Sequence, residues 1–343
     1  MRAEVRATER RAPVVPSDVG RLVAAGFRVT VEESTQRVFD AEGYAEAGAT
    51  LVPTGSWVDA PDDVVVVGIK ELPEEPATLR HRHVYFAHAF KGQSDAVIVL
   101  GRFRAGGGTL SDIEYLTDGQ GGRVVAFGYW AGYVGAALGV LHLASALETP
   151  LQPMDQHELD ALLLSVAERV AGARPVVTGA RGRSGTGACD ALWVAGLVPG
   201  RYDRRESSDL GNRGLLDYDL LVNCVGIKEP TPPFLTREDL DGSRRLSVVA
   251  DVTCDVTSDK NMIQVNDAIT TWDEPVRTVR GPDGTAVDVI AIDNLPSLLP
   301  REASIGFSEE LTAQLLGLAD LSRPTGPWVA AEVAFRQALS TLP

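Results

Sequence analysis

Two segments carry side chains that could move a proton. Lys70-Glu71 closes the apolar run 64–69, and His88 closes the run 84–87, with Lys91 three residues further on. Glu114 ends a third run, 109–113, and Arg123 lies just before a long apolar segment. Lysine and histidine act as general acids and bases when their surroundings bring the pKa toward the working pH, and neighbouring carboxylates help to set it. Taken singly, each reads most simply as a surface charge or a satisfied structural group. Together they fall at the carboxyl ends of successive expected strands, the edge that faces the ligand crevice in a parallel sheet. Arg11, with Glu9 nearby, adds a cation to an otherwise acidic chain and suits a substrate bearing several carboxylates.

The other chemical signal is the stretch 176–187, Val-Val-Thr-Gly-Ala-Arg-Gly-Arg-Ser-Gly-Thr-Gly. It reads as a strand entering a glycine turn and then a helix. Gly179, Gly182 and Gly185 are spaced GxxGxxG. Glycine permits backbone angles barred to other residues and lets N–H groups approach a pyrophosphate, while the helix N-terminus adds partial positive charge. Arg183 and Ser184 within the turn could add side-chain contacts. Asp203 falls just past the expected next strand, where a carboxylate can accept hydrogen bonds from a ribose diol, which favours NAD. Arg204 and Arg205 follow it and could pair with a 2′-phosphate, so NADP stays open, as does a plain tight turn with a solvated charged loop behind it.

The elements needed to position these groups can be read from the pattern. Ser17–Ala25 is a helix, 27–31 a strand, Ala41–Ala47 a helix and Ala49–Val52 a strand. The continuous apolar runs 64–69, 84–87, 175–178, 220–223, 247–251 and 287–292 suit buried strands of a parallel sheet. Residues 128–147 read as a small-residue-rich helix linking two domains, 157–171 as an amphipathic helix, and 308–316 with 328–339 as tail helices. The expected class is α/β, with two Rossmann-like domains carrying parallel sheets separated by a cleft. A substrate or catalytic domain spans 1–123 plus 296–343 and is discontinuous; a dinucleotide-binding domain spans 124–295.

Composition limits the partners. The 343 residues exceed what one core usually holds. A net charge of −15 argues against sequence-independent nucleic-acid or anionic-membrane binding, because both need a basic surface. The three cysteines Cys189, Cys224 and Cys254 show no paired spacing, so neither a disulfide framework nor a structural metal is indicated, and a reducing, cytoplasmic setting fits. No run of about 18 apolar residues suggests a membrane span. Oligomeric state is left open.

Across nearly the whole chain the sequence resembles the fungal-type, NAD-dependent, lysine-forming saccharopine dehydrogenases, a branch of the alanine dehydrogenase and transhydrogenase superfamily. The resemblance rests on Arg2-Ala3-Glu4 with Glu9 and Arg11, on 68–74 (Gly-Ile-Lys-Glu-Leu-Pro-Glu) and on Phe86-Ala87-His88 with Lys91 and Gln93. It continues through Gly108-Thr109-Leu110, Arg123-Val124, Gly179-Ala180 with Gly182-Arg183, and Asn223-Cys224 to the run 293–304, Asp-Asn-Leu-Pro-Ser-Leu-Leu-Pro-Arg-Glu-Ala-Ser. It implies Lys70 and His88 as the acid–base pair tuned by Glu71 and Glu114, and Arg11, Lys91 and Arg123 as substrate-side cations. It also implies Asp293 near the nicotinamide. The implied reaction oxidises a secondary amine to an imine, which water converts to lysine and 2-oxoglutarate. Two positions depart from the pattern: Arg6 stands in place of a lysine, and Ser184 in place of a cysteine, which leaves Cys224 without a disulfide partner. A related opine-forming or amino-acid dehydrogenase using another amine and oxo acid would share most of these residues. A non-catalytic nicotinamide-binding protein would keep the glycine turn but has no need of Lys70, His88, Glu71 and Glu114 together.

Overall fold

The computed structural model describes residues 1–90, 96–203, 212–227, 229–318 and 325–342. Lys91, Arg204 and Arg205 lie outside the described residues. The chain divides into two compact units, Met1–Ala126 with Pro300–Pro343, and Phe127–Leu299.

In the first unit, helix α1 (Pro16–Ala24) precedes strand β1 (Thr30–Glu32), and α2 (Ala41–Glu46) precedes β2 (Thr50–Val52). β1 and β2 pair in parallel. A second sheet holds β3 (Val65–Val67), β4 (Arg82–Tyr85) and β5 (Thr109–Asp112) in that order, all parallel. Helix α3 (Ala96–Gly106) stands directly before β5 and was not read from the sequence. Its opening residues Ala96-Val97-Ile98-Val99-Leu100 form an unbroken apolar run, which periodicity cannot tell from a strand.

The second unit opens with α4 (Gly128–Leu143) and α5 (Gln156–Val166). Then come β6 (Pro175–Thr178), α6 (Arg183–Val194), β7 (Gly200–Tyr202), β8 (Leu220–Asn223), β9 (Val248–Asp251), β10 (Arg277–Arg280) and β11 (Ala286–Ile290). They form a six-stranded sheet ordered β10-β11-β9-β8-β6-β7. Its pairs are parallel except at the β10 edge. β6, β8 and β9 are buried along their whole length, as expected of Val- and Leu-rich central strands covered on both faces.

α4 corrects one expectation. Gly132 to Leu141 are buried without interruption, and the helix packs on α6, β8 and β9. An all-round apolar helix is a core helix, so α4 belongs wholly to the second unit and is not a linker. It also ends four residues early, because Ser145 takes a left-handed φ of 53°.

The chain returns to the first unit as α7 (Pro300–Leu316) and α8 (Pro327–Ser340). α7 starts eight residues before the expected Ser308, on Pro300, a residue whose fixed φ suits a first helical turn. Phe335 of α8 joins Trp57, Leu100, Phe103 and Leu110 in the core against the β3-β4-β5 sheet. No helix of the described residues is long and apolar enough to cross a membrane.

This core contains an ionisable residue. His83 of β4 is fully buried, edge-on to Trp57 at 5.2 Å and to Phe103 at 5.4 Å, and neither ring nitrogen finds a hydrogen-bond partner among the described residues. Desolvation, reinforced by His81, Arg2 and Arg102, lowers its pKa from 6.5 to about 3. Between these values the unfolded chain binds a proton that the native chain refuses. His83 therefore costs stability as pH falls below 6.5, by up to about 1.4 kcal/mol per pH unit. Asp112, raised from 3.8 to about 7, acts in the opposite sense, stabilising the fold at low pH and losing that contribution as pH rises. Comparing wild type with His83→Phe cancels the Asp112 term. In urea unfolding at pH 7 and pH 5 the variant is expected to lose about 2 kcal/mol less on acidification; parallel losses would show that His83 does not carry the effect.

Candidate active site

The edge that presents Lys70, His88 and Glu114 is built by the parallel register of β3, β4 and β5. These strands end at Val67, Tyr85 and Asp112, so each of the three side chains stands two or three residues beyond the ladder. The loops remain joined, since Gly68 donates its N–H to Val84 O and Phe86 donates to Ile69 O, both at 3.0 Å. Lys70 is buried and His88 is exposed. The His88 ring stacks on Phe86 at 6.3 Å, and its backbone holds a φ of 49°.

The N-terminal segment fixes the Lys70 backbone. The buried Arg2 donates from Nη2 to Lys70 O, and Glu4 accepts from the N–H groups of Ile69 at 2.7 Å and Lys70 at 3.0 Å. A Cβ on Gly68 would lie 2.4 Å from Arg2 Nε, so glycine is required there for the guanidinium to reach. Glu32 bridges further, accepting from Ala3 N and Trp57 N, each at 2.8 Å. Gln36 Nε2 donates to the carbonyls of Glu4, Arg6 and Glu9. Ser304 Oγ accepts from Ala12 N at 2.8 Å, which gives the end of the 293–304 run a structural role. None of Arg2, Glu4, Glu32 or Gln36 was singled out as a site residue from sequence; only the string Arg2-Ala3-Glu4 drew notice.

The charges are paired within this unit. Arg11 grips Glu9 through two bonds, Nε to Oε1 at 2.8 Å and Nη2 to Oε2 at 2.6 Å, with both residues buried. Burial pushes the Glu9 carboxyl up, but Arg11's charge and hydrogen bonds, joined by the charge of Lys70, outweigh it and hold the pKa below its ordinary value. Glu4 goes the other way, because desolvation exceeds the pull of Arg2 and the two backbone N–H groups. Glu71 is exposed and accepts from Arg6 at 2.5 Å, and Arg123 is joined to Glu114. Lys70 therefore has Glu9 as a carboxylate neighbour, while Glu71 engages Arg6.

In the second unit the glycine turn runs from β6 into α6. Gly179, at φ 68°, donates its N–H to Tyr202 O at 2.7 Å. Gly182 is the N-cap and no side chain caps the helix. A Cβ at Gly185 would meet Gly179 O at 2.1 Å, so only glycine lets the helix start this close to the strand. Arg183 is exposed and Ser184 half-buried at this helix start. These features fit a dinucleotide pyrophosphate, since glycine brings the helix N-terminus, with its backbone N–H groups and favourable dipole, close to the end of the strand. Asp203, just past β7, accepts from Arg181 Nε at 2.7 Å and Arg181 N at 3.2 Å. Behind the turn, the buried Thr178, Asn223 and Asp251 and the half-buried Thr253 form a hydrogen-bonded ladder across the ends of β6, β8 and β9, and burial raises the Asp251 pKa. Asp293 is exposed beyond β11, with its charge acting on Cys254. Cys189, Cys224 and Cys254 are free thiols, and no group of three or more metal-ligating side chains occurs among the described residues.

Parallel α/β units of this kind define a class. Residues 1–134 match the family model for the alanine dehydrogenase/PNT N-terminal domain. A solved L-alanine dehydrogenase shares the fold at a TM-score of 0.67 and 17% identity, covering 98% of this chain and 92% of that one. The transhydrogenase of Sinorhizobium meliloti does so at 0.67 and 17%, covering 96% of each. The fold is that of the alanine dehydrogenase and transhydrogenase group. Within it, the chain is 42% identical to the saccharopine dehydrogenase [NAD(+), L-lysine-forming] of Emericella nidulans, covering 100% of this chain and 97% of that protein. It is 41% identical to the Neurospora crassa protein of the same name, over 100% and 96%. The chain belongs to the NAD(+)-dependent, L-lysine-forming saccharopine dehydrogenase family.

Proposed function

We propose that the protein is an NAD-dependent saccharopine dehydrogenase, which oxidises the secondary amine of saccharopine to an imine and hydrolyses it, reversibly, to L-lysine and 2-oxoglutarate. The observation that carries this reading is the delivery of Lys70 and His88 from adjacent parallel strands beside Glu114, in a chain 42% identical to a saccharopine dehydrogenase along its full length.

Lys70 takes the proton of the substrate amine. NAD, when bound, would supply the hydride acceptor for the adjacent carbon. His88 then helps water add to the imine and carries protons as the carbinolamine collapses. Glu9, held ionised beside Lys70, and Glu114, held by Arg123, set the charge around the pair; Glu71 contributes through Arg6. Arg11, Arg123 and Lys91 are the substrate-side cations; Arg11 and Arg123 reach a substrate carboxylate only by loosening their hold on Glu9 and Glu114. Gly179, Gly182, Arg183, Ser184 and Gly185 would hold the pyrophosphate, Asp203 the adenosine ribose, and Asp293 would serve the nicotinamide end. Asp203 can take the ribose diol only by loosening Arg181, which is then available to the nucleotide. The partners are small molecules, consistent with the net charge of −15, and the unpaired thiols suit a reducing cytoplasm.

The test is NADH oxidation with panels of amines and oxo acids. Lysine with 2-oxoglutarate is expected to give the highest kcat/KM. If that pair is silent while another pair turns over, the protein is a different opine-forming enzyme of the same chemistry.

A further inference from the structure

Asp112 is the last residue of β5 and is wholly buried, at the root of the loop that carries Glu114 and alongside the one that carries His88. The register sets Tyr85, the last residue of β4, opposite it, so the chain leaving β4 toward His88 passes the Asp112 side chain. Oδ1 accepts the backbone N–H of Glu114 at 2.9 Å. The backbone N–H groups of Ala87 and His88 also act on this carboxyl and favour its ionised form. Oδ2 is buried yet completes no hydrogen bond of normal geometry among the described residues. A buried carboxylate oxygen without a full partner is costly and needs a reason. His88 supplies one: its left-handed φ of 49° is rare for a residue with a side chain and persists only where surroundings over-determine it.

We propose that Asp112 is the positioning residue of the acid–base centre: its carboxylate gathers the backbone amides of Ala87 and His88 on one side and of Glu114 on the other, fixing the two side chains relative to each other. The role of His88 in the chemistry rests on the saccharopine dehydrogenase reading; the contact itself does not. Burial raises the Asp112 pKa to about 7, Glu114's charge pushes the same way, and the three N–H groups oppose them. Tyr85 of β4 and Tyr115, after β5, also feel this charge; their own pKa values are raised, the latter to about 12, so both stay neutral while Asp112 titrates. The hold on His88 tightens as Asp112 ionises.

The test compares full-length wild type with Asp112→Asn, which keeps one acceptor oxygen at every pH, and Asp112→Ala, which keeps none. In wild type the amide resonances of Ala87 and His88 are expected to titrate with a midpoint near pH 7. They do the same in His88→Asn, where no imidazole is present, and the midpoint vanishes in Asp112→Asn. Asp112→Ala is expected to lower kcat about a hundredfold with NAD affinity unchanged, the cost of a displaced catalytic group. Asp112→Asn keeps an acceptor toward one side only, so it lowers kcat by less than Asp112→Ala does, and it loses the inflection near pH 7 in its profile. If the alanine variant does not fold, the asparagine variant carries the test. Resonances without the midpoint in wild type, or with it in Asp112→Asn, overturn the proposal, as does wild-type kcat in Asp112→Ala. Wild type without turnover on lysine and 2-oxoglutarate sinks the functional reading, and the amide titration then decides alone for Asp112.

Discussion

Lys70→Met lowers kcat for saccharopine oxidation by about 10²- to 10⁴-fold, the span that positioned proton transfer contributes, while NAD binds as in wild type. Methionine matches the lysine stem in length and fills the same buried volume, so only the ammonium is lost. The main chain at this position is held by Arg2 and Glu4 through backbone groups, which the substitution does not touch. The residues proposed for the pyrophosphate lie on β6 and α6, in the other unit. Separate readouts for the two sets of residues separate two explanations of a dead enzyme. Loss of a group that acts only in the transition state lowers kcat and kcat/KM together, whereas lost binding raises KM. NADH appearance under saturating saccharopine, with NAD affinity measured by fluorescence titration, distinguishes them. Turnover near the wild-type rate would remove Lys70 from the chemistry.

The parts legible in the sequence were those in which residue type alone carries the requirement. A turn with Gly179 at positive φ and Gly185 against a backbone carbonyl needs glycine, and the unbroken Val and Leu runs of β6, β8 and β9 need burial on both faces. What stayed illegible depends on partners remote in sequence. Glu4 meets Lys70 across 66 positions, and a charged residue near the N-terminus gives no sign of being buried. The resemblance implies Glu71 and Glu114 as the carboxylates that tune the acid–base pair. In the fold Glu71 accepts from Arg6, and Glu9, distant in sequence, is a further carboxylate that interacts with Lys70. β10 escaped notice for a different reason: Arg277-Thr278-Val279-Arg280 is a short edge strand with one buried residue, too polar to leave a pattern. The small residues of α4 were visible, but which helix they admit was not.

That helix pair carries the second large expectation. α4 and α6 touch backbone to backbone: a Cβ on Gly132 would lie 1.7 Å from Ser184 O, and one on Gly187 would lie 2.0 Å from Tyr129 O. A clash with main-chain atoms cannot be relieved by a rotamer change, so Gly132→Ala must push the first turn of α6 away. The cost of such overpacking is about 1–3 kcal/mol, occasionally more. The displaced turn is the one that begins at Gly182 and contains Gly185, so stability and cofactor binding should fall together, with NAD affinity reduced by about tenfold or more, equivalent to about 1.4 kcal/mol. Gly101 in α3 provides the opposite case. None of the described residues lies within 4 Å of a Cβ built there and its φ is helical, so Gly101→Ala should stabilise the chain by about 0.5–1 kcal/mol through helix propensity alone, without changing NAD affinity. Thermal unfolding and NAD titration of the two variants side by side decide the matter. If both alanines behave alike, the backbone contact between α4 and α6 is not what sets the glycine turn in place.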